Sequence, residues 1–407
     1  MLSAAHDILT KQDSKNSTAS ASDKLAVDSS NSSGYDCSPV TTGAVLLADI
    51  LPTLIIKLFA PFVIHKVPYG FRVLFCVAMA AMSFLLVSLS SAVWISIVGV
   101  IFASISSGLG ELSFLSLSVF FDRKVLEGWG SGTGGAGVAG AFLYSGLIQA
   151  GLSPRITLLI MLVVPLAMLV SYFGLLSPVP SLPQWRRSEA ENAAVDSEER
   201  EWLMDESEDE EEEEEEETTA PDGIVFPLNV TEDRTMGPVT PREKLYVVKG
   251  LVRFVAPLGL VYFAEYFINQ GLMELLFFHN FFLSHAAQYR WYQTIYQFGV
   301  LVSRSSLCCI KFRRVWIFSL LQVVNAVFLL FAVRFQFLPS AWIVFAIILY
   351  EGLLGGAAYV NTFYFISKET ESRYREFAMA TASVGDSLGI AVAGLVAFPV
   401  HKYFCSL

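Results

Sequence analysis

The chain has 407 residues, of which 54% are hydrophobic and only 16% charged, against about 25% charged in an ordinary soluble domain. Its formal net charge of -11 is local: residues 186 to 243 hold 22 acidic and 5 basic side chains, whereas the remainder holds 16 acidic and 22 basic ones. No basic stripe with interleaved aromatics speaks for nucleic acid, and Cys37, Cys76, Cys308, Cys309 and Cys405 make neither a disulfide framework nor a metal-spaced CxxC pair.

In chain order, Met1 to Leu9 is too short to cross a bilayer but reads like the end of a span. The polar stretch 10–40 carries glycosylation acceptors at Asn16 and Asn31, which are used only on the lumenal side. Apolar windows then predict spans near 42–64, 70–91, 94–118, 130–150 and 155–177. Residues 178–246, with an unbroken Glu210 to Glu217, cannot bury a core and read as a disordered cytosolic loop. A second group of spans follows near 247–277, 291–308, 315–334, 340–362 and 376–400, and then a short tail, 401–407.

The expected fold is an all-α polytopic membrane protein with about ten complete spans, the first span being truncated. They form an N-terminal bundle over 41–177 and a C-terminal bundle over 247–400. With 10–40 in the lumen, the basic run RSSLCCIKFRR from Arg304 to Arg314 falls on the cytosolic side, as cationic loops do. The acceptor at Asn229 is then expected to stay unmodified. Cys308 and Cys309, at that cytosolic edge, are palmitoylation candidates. Within the acidic loop, Glu199, Leu203 and Met204 form an acidic dileucine-type sorting signal, the alternative being a chance apolar pair.

Several spans carry charges they do not need for crossing. The sixth includes LGLVYFAEYFINQGLMELLFF, in which Tyr262, Glu265 and Asn269 share one helical face with Tyr266 at its margin. Glu274 lies near the end of that span, within reach of the headgroup region. A carboxylate in hydrocarbon costs roughly 2.5 to 3.5 kcal/mol or more, so such residues mark an interhelical latch or a polar pathway. Asp49 and Lys57 lie about two turns apart around Pro52, which opens the backbone locally. Glu111, Glu351 and Asp386 are further embedded acids. Arg290 and Arg304 are the bases nearest the spans, and Asn361 is a further donor.

The run Gly130-Ser-Gly-Thr-Gly-Gly-Ala-Gly137 contains a formal GxGxxG at Gly130, Gly132 and Gly135, but it opens a span and not a βαβ unit. Small residues there read as tight helix packing, as do Gly352 and Gly356. No Walker lysine or HExxH is present; neither catalysis nor a cofactor or metal is expected. The segment Ser107 to Glu111 echoes Glu351 to Gly355, in keeping with a two-bundle transporter.

At SISSGLGELSFLSL, GSGTGGAG, VYFAEYFINQGL, QYRWYQ, SRSSL and LYEGLLGGAAYVNTF the sequence resembles the battenin family of lysosomal membrane proteins. The resemblance runs from Met1 to about Pro399. It implies a fold similar to the major facilitator superfamily and residence in lysosomes and late endosomes. It also implies a part in clearing glycerophosphodiesters and links to lysosomal pH, autophagy and vesicle traffic. Two departures stand out: Met1 falls near the end of the family's first span, and Cys405 is followed by only two residues, too few for a prenylation box. The expected partners are membrane lipids, a small anionic substrate, protons and sorting adaptors. Lys57, Arg290 and Arg304, with Tyr262, Asn269 and Asn361, are the candidate anion-binding groups. Glu265, Glu111 and Glu351 are the candidate proton carriers. The rival reading is a membrane-anchored scaffold whose acidic loop recruits adaptors or motors.

Overall fold

The protein is described from a computed structural model covering residues 42–64, 67–90, 92–122, 124–176 and 241–406. Asn16, Asn31, Asn229, the sorting residues Glu199, Leu203 and Met204, and the remnant 1–9 lie outside these residues. The first group of helices is α1 (Thr42–Val63), α2 (Tyr69–Leu89), α3 (Val93–Leu117), α4 (Lys124–Gln149), α5 (Pro154–Ile160) and α6 (Val163–Val170). The second is α7 (Pro241–Phe267), α8 (His285–Ser305), α9 (Val315–Phe335), α10 (Ala341–Glu369), α11 (Ser372–Ala382) and α12 (Val384–Cys405). The described residues contain no strand.

Among the described residues eight segments are long and apolar enough to cross a membrane, with α5–α6 and α11–α12 each counting as one. The other two expected spans, α4 and α8, are full helices of 26 and 21 residues. They fall short in composition, α4 through its glycines and α8 through Gln288, Arg290, Gln293, Gln297 and Arg304. These two helices pack against each other. The boundaries also shift: residues 241–246, expected in the loop, form the first turns of α7, and 401–405, expected as tail, complete α12.

Burial along α1 is inverted relative to a soluble helix. Lys57 is 1% exposed while Phe59 is 68% exposed, with Leu51, Ile55 and Phe62 beside it on the outer face. Lipid solvates the apolar side chains, so the charges are the ones driven inward.

Prolines set the irregularities. Pro165 lacks an amide hydrogen and its ring crowds the carbonyl four residues back, at Met161. The helix accordingly breaks at Met161–Leu162, between α5 and α6. At Pro52 the opened turn of α1 admits Ser104 of α3, whose hydroxyl accepts from Thr53 N at 3.1 Å and donates to the carbonyl of Asp49.

The bundles meet where α4 lies on α8 and α1 on α12, with α3 against α11. A Cβ at Gly130 would stand 3.1 Å from the carbonyl oxygen of Arg304, and one at Gly134 would stand 2.8 Å from Leu301 Cα. Gly137 faces Gln297, and Gly132 faces nothing. The working spacing is thus 130, 134, 137, one helical face, and not the 130, 132, 135 of the formal motif. Gly352 and Gly356 likewise press on the α8 backbone at Tyr296 and Val300.

One disulfide is nonetheless present: Cys405 is disulfide-bonded, while Cys76, Cys308 and Cys309 are free thiols.

Candidate functional site

Two polar clusters occupy the interior. The first lies on the seam between the bundles. Lys57 Nζ of α1 contacts Glu111 Oε2 of α3 at 2.7 Å and both carboxylate oxygens of Asp386 of α12 at 3.1 and 3.2 Å. Asp386 stands in the first turn of α12, just after the break at Ser383, where free amides favour a negative group. Its Oδ1 also accepts from the backbone amide and hydroxyl of Ser387. The lysine therefore ties one bundle to the other through a buried pair. Removing one member of such a pair leaves an uncompensated charge.

Glu111 is held from its other side by the Tyr359 hydroxyl, at 2.7 Å. The Arg304 guanidinium lies 4.1 Å from the centroid of the Tyr359 ring, and donates to Thr133 Oγ1 at 2.7 Å and Tyr262 OH at 3.2 Å. Its Nε is buried with no partner, and no carboxylate pairs with it among the described residues. The cation is thus enclosed by hydroxyls and aromatic faces from α4, α7 and α10, with a donor left over. Such a fork matches a carboxylate or phosphate.

The second cluster lies inside the C-terminal bundle. Glu265 of α7 accepts from the Tyr296 hydroxyl of α8. The α-helix ends two residues later, and Ile268–Leu272 forms a π turn that carries Asn269. Asn269 Nδ2 donates to Glu351 Oε1 of α10 at 3.2 Å, and Gln293 Nε2 of α8 donates to Asn269 Oδ1 at 3.5 Å. Sequence spacing puts Tyr262, Glu265 and Asn269 on one face, and in the structure each meets a different partner: Arg304, Tyr296 and Glu351. The echo between Glu111 and Glu351 does not extend to their surroundings, since one touches a lysine and the other an amide.

The remaining candidates stand elsewhere. Asp49 contributes its backbone carbonyl to Ser104. Asn361 Oδ1 accepts from the amide of Phe312 at 2.6 Å and its Nδ2 donates to Ala357 O, which anchors the loop after α8. Arg290 is half-buried near the start of α8, 14 residues and so about 21 Å along the helix from Arg304. Cys308 and Cys309 are exposed. Glu274 requires a correction. It does not reach outward to headgroups; a 3-10 turn over Met273–Leu275 buries it and sets its carboxylate 3.9 Å from His401 Nε2 of α12.

Thr133, Tyr296 and Tyr359 belong to these clusters without standing out in the sequence. Thr133 sits inside the glycine run and Tyr296 two turns before Arg304, so helical spacing from the charged residues is the signal that points to them.

The chain matches the CLN3 protein family model over residues 1–407. It is 52% identical over 413 residues to battenin of Canis lupus familiaris, covering all of this chain and 87% of that protein. It is 39% identical over 371 residues to the protein BTN1 of Yarrowia lipolytica, covering 89% of this chain and 86% of that protein. With btn-1 of Neurospora crassa it shares 37% identity over 385 residues, covering 90% and 82% respectively. A match along the whole chain, with polar clusters buried between its helices, makes this multi-pass membrane protein a member of the CLN3 family.

Proposed function

We propose that the protein is a carrier of the lysosomal and late endosomal membrane that exports a small polar organophosphate, of which glycerophosphodiesters are the leading class, coupled to protons and supporting lysosomal pH and autophagy. The observation that carries this reading is Arg304: a guanidinium between the bundles, paired with no carboxylate among the described residues, with a spare buried donor and a shell of Thr133, Tyr262 and Tyr359. An anchor needs no such group. A phosphodiester supplies the missing single negative charge, and its hydroxyl-rich ends suit the surrounding phenols.

Lys57 offers the moving part. Its contact with Asp386 crosses from one bundle to the other, so an anion drawing on the lysine loosens the seam, as rocking of two halves about a central site requires. Orientation is supported from two sides of the molecule. Three segments long and apolar enough to cross, α9, α10 and α11–α12, separate the free thiols Cys308 and Cys309 from the disulfide-bonded Cys405, which puts them on opposite sides, and disulfides form in oxidising compartments.

The test is efflux of glycerophosphodiesters from proteoliposomes, paired with metabolite levels in lysosomes with and without the protein. Arg304→Gln should reduce efflux at least tenfold, with Arg304→Lys intermediate because an ammonium cannot hold Thr133 and Tyr262 together. Unchanged efflux in Arg304→Gln would reject this site. Unchanged lysosomal metabolites on loss of the protein would reject the substrate class.

The acid-rich segment 186–243 favours a second role, recruitment of adaptors to the cytosolic face. Deleting the loop should abolish a scaffold's function and spare a carrier's.

A further inference from the structure

The buried acids of the C-terminal bundle have no part in the anion shell, and their surroundings set them apart from the carboxylates of the seam. Glu351 is 0% and Glu265 is 1% exposed. Each uses one oxygen: Glu351 Oε1 accepts from the Asn269 amide and Glu265 Oε1 from the Tyr296 phenol. In both, Oε2 is buried and has no partner. No lysine, arginine or histidine pairs with either among the described residues.

The two are close along α10. Glu265 Oε2 rests in the notch left by Gly355, where a Cβ would overlap it. Glu351 is one turn earlier on that helix, about 6 Å along its axis. Two anions on neighbouring turns, in hydrocarbon-like surroundings and with only a phenol and an amide to answer them, repel each other and forfeit their hydration. A bound proton removes both penalties and turns an orphan oxygen into a hydroxyl.

The geometry points to Glu265 and Glu351 as a proton-carrying carboxyl pair, separate from the anion shell and linked to it through α7 and α8. The step is an acid–base one. A hydronium ion on the lumenal side gives its proton to one carboxylate oxygen, leaving water and a neutral carboxyl; on the cytosolic side water takes that proton back. No electron changes hands and no other reactant is needed.

The link to the anion shell is short. Tyr262, which holds Arg304, is one turn from Glu265 on α7, and Tyr296, which holds Glu265, is two turns from Arg304 on α8. The ionisable groups that bear on Glu265 are Tyr296 and Arg304 of α8, Tyr262 and Tyr266 of α7 and Asp386 of α12, and Glu351 in turn feels Glu265. Between Val315 and Phe335, α9 presents no charge before Arg334. With the pair neutral, the charge of Arg304 is free to hold an anion; with the pair ionised, the pair competes for it. The sign is symport: proton and anion are taken up together from an acidic lumen and released together.

The coupling half of this inference rests on the carrier reading, whereas the proton site does not. Infrared difference spectra of the full chain in lipid, taken between acidic and alkaline buffer, read the neutral carboxyl directly. We expect a buried carboxyl band in the unsubstituted protein, reduced in Glu351→Gln or Glu265→Gln and gone in the double variant, with the dependence of thermal unfolding on pH flattened in parallel. A band that survives in the double variant, or none in the unsubstituted protein at any pH, overturns the site. For coupling, glycerophosphodiester efflux should accelerate several-fold in an inward-acid gradient and lose that dependence in Glu351→Gln; dependence retained in that variant overturns coupling. If the band behaves as expected while no efflux is found, the site stands and the carrier reading falls.

Discussion

The seam and the centre of the C-terminal bundle each enclose two carboxylates, and they solve the same problem in opposite ways. Glu111 and Asp386 share the Lys57 ammonium across the junction of the bundles. Among the described residues Glu265 and Glu351 bond only to Tyr296 and Asn269 and keep one oxygen apiece unsatisfied. A cation lets an acid stay ionised in a dry interior, and its absence favours the neutral acid. The first arrangement is a charged clasp between the bundles; the second is the one we propose carries protons. Burial of a carboxylate alone therefore says little about its task, and the nearest cation decides it.

Lys57→Met is the substitution that should separate the two regions most strongly. It leaves Glu111 and Asp386 facing each other without a cation, a loss of about 3 to 5 kcal/mol. Detergent-solubilised protein should unfold at a clearly lower temperature, and adding Glu111→Gln and Asp386→Asn should recover much of that loss. By contrast Glu351→Gln should change stability by about 1 kcal/mol or less, since the amide is close in shape to a neutral acid and its carbonyl oxygen can still accept from Asn269. Equal losses for both would erase the distinction.

Gly355→Ala sharpens the comparison from the backbone side. The new methyl overlaps the Glu265 carboxylate, and overpacking of this kind costs about 1 to 3 kcal/mol. In a double-mutant cycle part of that cost should vanish with Glu265→Ala, and full additivity would show that the two do not touch. A smaller contrast is expected in α4. Gly134→Ala would press on the Leu301 backbone and should destabilise, whereas Gly132→Ala, which meets nothing, should be neutral or stabilising by up to about 1 kcal/mol through helix propensity. The smallest effect is on the glycan pattern: peptide mapping should find sugars at Asn16 and Asn31 and none at Asn229, and the reverse pattern would invert the membrane orientation and the direction of proton flow with it.

Much of this is legible in the amino-acid sequence. Ten spans in two groups are expected from apolar windows, because a bilayer demands about 20 apolar residues per crossing; among the described residues eight meet that demand, and α4 and α8 are helices of more polar or glycine-rich composition. The acids Glu111, Glu265, Glu351 and Asp386 and the bases Lys57 and Arg304 announce themselves by being charged where hydrocarbon is expected. Less legible is which acid meets which base. Lys57 and Asp386 are 329 positions apart, and no local pattern links them. The inward turn of Glu274 is also hidden, since it depends on the π turn at Ile268–Leu272 and the 3-10 turn after it, which rotate the chain off the regular helical face. The same holds for the glycines of α4: their composition signals close packing, but only the neighbouring helix selects 130, 134 and 137 as the face that uses it.

That this chain is a helical membrane protein with charges inside it can be read from its residues alone, because length, apolarity and helical period are local properties imposed by lipid on every span. That one pair of acids is clasped by a lysine and the other is left to a phenol and an amide emerges from the packing of the helices. That outcome depends on which helices abut, and helices pack by the fit of small residues and polar partners brought together from distant parts of the chain.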